Sequence, residues 1–117
     1  MAKKKNINSS IEYKGKTYNL VFNLNVMEDI QEEYGSVEKW GELVEDKKEP
    51  SAKAIKYGLT AMINEGIDIY NEENEDRREP FTIKQVGRII SDIGLNNIAN
   101  KISTTVVDST KSDEKNV

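Results

Sequence analysis

Residues 12–22 read EYKGKTYNLVF, and the fold turns on what Gly15 does there. Gly15-Lys16-Thr17 spells the end of a phosphate-binding loop. Such a loop also needs a glycine five positions earlier, where this chain has Ser10, with a strand before it and a helix after it. Here the sequence after the glycine alternates. Tyr18, Leu20, Phe22 and Leu24 are separated by Asn19, Val21 and Asn23, and Ile11 and Tyr13 flank Glu12 on the other side. A period of two in a run rich in aromatic and branched residues predicts strands with one buried face. Gly15 then supplies the positive φ of a tight hairpin turn, and the backbone amides go to a partner strand rather than to phosphate.

Outward from the hairpin the period changes to that of helices. Asn25 with Glu28 resembles a capping box, and Val26, Met27, Ile30 and Tyr34 recur at helical spacing up to Gly35. Ser36 caps a shorter helix through Val37, Trp40, Leu43 and Val44, which ends in the charged loop EDKKEP. Pro50-Ser51 opens the longest periodic segment, with Ile55, Gly58, Leu59, Met62 and Ile63 on one stripe up to Gly66. Ile67, Ile69 and Tyr70 either extend that helix or pack as an irregular turn. Thr82 with Gln85 forms a capping box for a helix carrying Val86, Ile89, Ile90 and Ile93, closed by Gly94. A last segment aligns Leu95, Ile98, Ala99, Ile102 and Val106.

The expected architecture is α+β and predominantly helical: an N-terminal β-hairpin followed by four or five short helices that cover one face of a small sheet. Residues 1–10 are expected to be a flexible basic arm, 11–107 a single domain, and 108–117, which lack periodicity, a disordered tail. A chain of 117 residues is the size of one domain. It would bury roughly two thirds of its unfolded surface.

Composition removes several chemistries. The chain has no cysteine and no histidine, which excludes disulfides, thiolate nucleophiles, imidazole-based metal sites and Ser-His-Asp triads. No apolar run approaches the roughly 20 residues that cross a bilayer. The residues MAKKK lead into a polar segment instead of a secretory one, so the chain is expected to act inside the cell and away from membranes. With 32% charged residues and a net charge of -4, the surface is mildly acidic and no template for nucleic acid. Acids cluster at Glu28, Asp29, Glu32 and Glu33 and again at Glu72, Glu73, Glu75 and Asp76, on faces expected to be solvated. No catalytic residue, cofactor site or metal site is expected.

Contact residues are another matter. Tyr57 lies roughly 160° around its helix from Ile55 and, with Ala54 and Ala61, forms a second weakly apolar face that one core cannot also absorb. Trp40 and Tyr70 complete the candidate partner-binding set. Tryptophan and tyrosine are the usual anchors of interfaces, while a lone tryptophan in a small domain can equally plug the core.

Three segments carry a resemblance to a known family: YNLVFNLNVMEDIQEEYGSVEKW (18–40), AIKYGLTAMINEG (54–66) and PFTIKQVGRIISDIG (80–94). The matching positions are Leu24, Asn25, Met27, Ile30, Glu32, Glu33 and Gly35; Gly58 and Leu59; and Thr82, Gln85, Val86, Gly87 and Ile90. With these the chain resembles the tail assembly chaperones of long-tailed bacteriophages and prophages, over about residues 11–100. Gln85 stands where the family commonly has an acid. The resemblance implies a protein without enzymatic activity that binds the tape measure protein in the host cytoplasm. It would keep that protein soluble, assist tail tube polymerisation, self-associate weakly, and be absent from the mature virion. Two alternatives stay open: another small phage structural or head-tail adaptor protein, and a regulator that touches nucleic acid through Lys3, Lys4 and Lys5.

Overall fold

The structure, a computed structural model, describes residues 9–115, with backbone alone from 111 onward. An antiparallel hairpin, β1 (Ser10–Tyr13) and β2 (Lys16–Asn19), precedes five helices: α1 (Leu24–Tyr34), α2 (Val37–Glu45), α3 (Ala52–Glu73), α4 (Ile83–Ile93) and α5 (Leu95–Lys115). The fold is the expected α+β, mostly helical one. Pairing of Tyr13 with Lys16 leaves a two-residue turn in which Lys14 (φ 52°) and Gly15 (φ 80°) are both left-handed. That conformation matches the twist of the flanking strands. The ladder continues one step past the strands, with Leu20 N–H donating to Ser9 O at 2.7 Å.

β2 ends sooner than the alternation suggests. Val21 N–H turns away to Met62 O of α3 at 3.2 Å, and Leu24, expected on the buried strand face, begins α1 and is 75% exposed. The α1 cap is accordingly Asn23, whose side chain accepts from Val26 N–H at 3.3 Å, and Asn25 is left inside the helix. Asn23 has the extended backbone of a cap residue and a second bond: its amide donates to Glu65 Oε2 of α3 at 2.8 Å, where Asn25 also donates at 3.1 Å. One carboxylate thus pins the start of α1 to α3.

The remaining caps follow the sequence. Ser36 accepts from Lys39 N–H, Ser51 accepts from Ala54 N–H, and Thr82 with Gln85 forms a reciprocal box. Helix α3 runs through Gly66 to Glu73 and passes beside every other helix and β2. Gly66 is no cap: β2 crosses α3 there, and a methyl group on Gly66 would collide with the Asn19 carbonyl oxygen. Around α3 packs one core, built of Ile11 and Leu20 from the hairpin segment, Val26, Ile30, Trp40 and Val44, and Val86, Ile89, Ile98 and Ile102.

At the C-terminus the last helix runs past 107, the expected end of the domain. Helix α5 continues as backbone to Lys115, so the segment from 108, expected to be disordered, is helical up to that residue. Extending an established helix fixes one residue per bond gained, which needs no apolar periodicity. The Ser109 and Thr110 hydroxyls turn back onto Val106 O at 3.0 and 3.2 Å. Residues 1–8 of the proposed arm, and 116 and 117, lie outside the described residues.

Candidate functional site

The five candidate contact residues separate into three places. Trp40 (2% exposed) and Ala54 (fully buried) belong to the core, which corrects their assignment to a contact surface. The cause is Gly58. Its missing side chain leaves a hollow in α3 that the indole occupies, with Nε1 donating to Ala54 O at 3.0 Å and Phe22 stacked on the outer side at 6.5 Å between centroids.

Tyr70 stands at the far end of α3, on the hairpin side. Its hydroxyl donates to Asp76 Oδ1 at 2.7 Å, and the Arg78 guanidinium lies over its ring at 4.0 Å and over the Tyr18 ring at 5.0 Å. Arg78 Nη1 also donates to Thr17 O at 2.9 Å. This arrangement ties the 74–81 linker to the hairpin, so Tyr70 is occupied by the fold's own residues. The hydrogen bond to Asp76, followed by burial, raises its phenol above the ordinary 10.0, against the opposing charge of Arg78.

Tyr57 and Ala61 are brought together. Both are half-buried and line an open groove of about 460 Å³ between α1, α3 and the start of α4. Its floor is Ala61, its apolar lip is Pro80 with Ile83, and Asp29, Glu65 and Asp68 supply carboxylates. Ile83 is 47% exposed, an unusual degree for an isoleucine on the first turn of a helix whose stripe is otherwise buried. The lip is held rigidly. Asn64 makes a two-way bond with the backbone of Phe81, donating to its carbonyl at 2.9 Å and accepting from its N–H at 2.8 Å. The Phe81 ring in turn meets Tyr18 and Tyr13 edge-on at 5.1 and 6.3 Å.

On the opposite wall the Tyr57 hydroxyl donates to Asp29 O at 3.1 Å, and the ring meets Tyr34 edge-on at 5.7 Å. Burial first, then the negative charges of Asp29 and Glu33 with Tyr34 and Glu32 beyond them, raises the Tyr57 phenol above 10.0. Tyr34 is raised as well, by burial and then by Glu33. A phenol harder to ionise in the folded chain stabilises the fold fully below pH 10.0. That contribution is lost as pH rises from there through the elevated folded value. The urea midpoint of the wild type is therefore expected to fall as pH climbs past 10.0, and Tyr57→Phe to flatten the fall. An unchanged slope in the variant would show that Tyr57 ionises alike in both states.

Ile83 and Pro80 were not singled out by the sequence as contact residues, and Asp29 figured there only in an acidic run expected to be solvated. The only signal was an isoleucine inside a capping box, where the cap itself makes no use of an apolar side chain. Among the described residues no group of three or more acids is placed to hold a metal ion, and no helix is long and apolar enough to cross a membrane. What the groove offers is an apolar floor and lip that can desolvate a side chain, beside carboxylates that can pair with a cation. Comparison with protein-family models, with curated proteins and with solved structures gives no match for this chain.

Proposed function

We propose that this chain is a tail assembly chaperone of a long-tailed phage or prophage. It binds the tape measure protein in the host cytoplasm, keeps it soluble, assists assembly of the tail tube around it, and does not remain in the virion. The observation that carries the reading is the groove over Ala61, with Ile83 exposed on its lip and carboxylates at its edge. An amphipathic helix laid on such a surface buries its apolar face there, while the acidic exterior of the chaperone keeps the pair dissolved. The resemblance supports the same reading independently of the groove: its matching residues fall on the three helices that frame it, α1, α3 and α4, but serve as caps and core positions (Ile30, Leu59 and Val86 are buried) and do not line it.

The test is co-expression with the tape measure protein of a phage or prophage that encodes this chain. That protein is expected in the soluble fraction only when the chaperone is present. Ile83→Asp is expected to reduce the co-purified amount at least about tenfold, the effect of losing about 1.4 kcal/mol of apolar contact. The variant should fold, because an acidic residue on a helix's first turn is favourable. A partner equally soluble without this chain overturns the proposal. Finding the chain in purified particles would instead favour a structural component of the tail.

A further inference from the structure

Beyond Thr60 and Ile83 the α3–α4 seam carries a second depression. One turn further along each helix, Lys56 of α3 and Gly87 of α4 line this depression of about 410 Å³, floored by Ala52, Ile90 and Leu95. The two helices are antiparallel, with Asn64 bonded to Phe81 at one end and the Lys56 stem against Gly87 at the other. The two depressions share no lining residue but follow one another along the α3–α4 seam, and together they make a furrow that one helix could occupy. From Ala52 to Asp68 it spans about 24 Å at 1.5 Å per residue, the length of a helix of roughly 16 residues.

Its charge is graded. Lys53 and Lys56 flank the end near the α3 N-terminus, and Asp29, Glu65 and Asp68 flank the other. Lys53 approaches Glu33 of α1 at 4.0 Å, but both side chains are open to solvent, so this pair is weak and a partner's carboxylate can replace it. From this gradient we infer that the furrow is directional: it holds a partner helix antiparallel to α3, with basic residues in the helix's first half and acidic residues in its second. The partner's dipole favours the same orientation, its positive N-terminal end lying among the carboxylates and its negative C-terminal end beside the lysines. Apolar contact with Ala61, Ile83, Ile90 and Leu95 is the same in either direction to a first approximation, so charge decides the polarity. From the proposed function this takes only that the partner is helical. It adds the direction in which a long helical protein would be threaded along the chaperone.

The test uses two stapled 16-residue helical peptides of identical composition and identical alanine-isoleucine stripe, titrated against the full chain by fluorescence anisotropy. One has lysines in its first half and glutamates in its second, and the other has the reverse. The lysine-first peptide is expected to bind at least tenfold more tightly at low salt, with the advantage shrinking as salt is added. Exchanging the ends of the furrow (Lys53→Glu, Lys56→Glu, Asp29→Lys and Asp68→Lys) is expected to invert the preference. Neutralising them (Lys53→Gln, Lys56→Gln, Asp29→Asn and Asp68→Asn) is expected to cut it to a small remainder carried by Glu65, which is kept because it holds Asn23 and Asn25, and this second variant avoids placing new charge on α3. Equal affinities, no measurable binding of either peptide, or a preference untouched by neutralisation overturns the inference. Solubilisation of the tape measure protein without peptide polarity would overturn this inference alone, and polarity without solubilisation would overturn the proposed function alone.

Discussion

Trp40→Ala is expected to remove about 4 kcal/mol of stability, a large share of the roughly 5–15 kcal/mol that holds a domain together. The measurement is a urea transition followed by circular dichroism, since Trp40 is the only tryptophan and its fluorescence goes with it. The magnitude rests on packing. The indole is 2% exposed, lies in the hollow over Gly58 and is stacked at 9° to the Phe22 ring, so truncation opens a cavity among α2, α3 and the segment after the hairpin. Its hydrogen bond to Ala54 O contributes far less, about 1 kcal/mol net. Trp40→Phe, which keeps most of the ring volume, is therefore expected to cost only about 1–2 kcal/mol. The same geometry fixes the sign of a second variant. Gly58→Ala in the wild type drives a methyl group into the indole and destabilises, although alanine is the better helix former by about 1 kcal/mol. With Trp40 already cut to alanine the obstruction is gone, and Gly58→Ala is expected to stabilise. Additive effects of the two changes would mean that the ring does not rest on Gly58.

Gly58 also marks the boundary of what the sequence discloses. Hairpin, caps and stripes are local features: the alternation around Gly15, the hydroxyls of Ser36 and Ser51, and the Thr82–Gln85 box each act within a few residues, and the structure has them where the sequence puts them. Between Asn23 and Asn25 the sequence favours Asn25, which has Glu28 three residues on, and the structure caps with Asn23. The helix starts early because the chain leaves the hairpin at Val21, whose N–H bonds Met62 O of α3, a contact 41 residues away that no local pattern encodes. The groove was half legible for a similar reason. Tyr57 and Ala61 lie off the main stripe of α3, and that offset is enough to bring them to the groove. Ala54 occupies the same weak face, yet the α2 tryptophan covers it, and only the hollow at Gly58 decides that. Tyr70 is claimed by Arg78 and Asp76 from a linker that has no periodicity from which to predict its path. The graded furrow needed α4 placed beside α3, a pairing no spacing within either helix encodes.

Gly66→Ala gives the second large effect, and it opposes the local rule. Within a helix the change is worth about 1 kcal/mol in favour of alanine, and a residue that merely ended α3 would tolerate it. At Gly66, however, the added methyl group meets the Asn19 carbonyl oxygen of β2, a backbone atom that cannot rotate aside as the tip of a side chain would. The strand is held against α3 on both sides of this point, by Val21 N–H on Met62 O and by Arg78 on Thr17 O. Relief therefore requires the hairpin to lift, which draws Ile11 and Leu20 out of the core. Overpacking of this kind costs about 1–3 kcal/mol, more when backbone must move. The expected outcome is a net loss of about 2–3 kcal/mol, with hydrogen exchange at Tyr18 and Leu20 accelerated before that of the α3 amides. A more stable Gly66→Ala chain would mean that β2 does not cross the helix in backbone contact, and the account of why α3 passes uninterrupted through a glycine would fall with it.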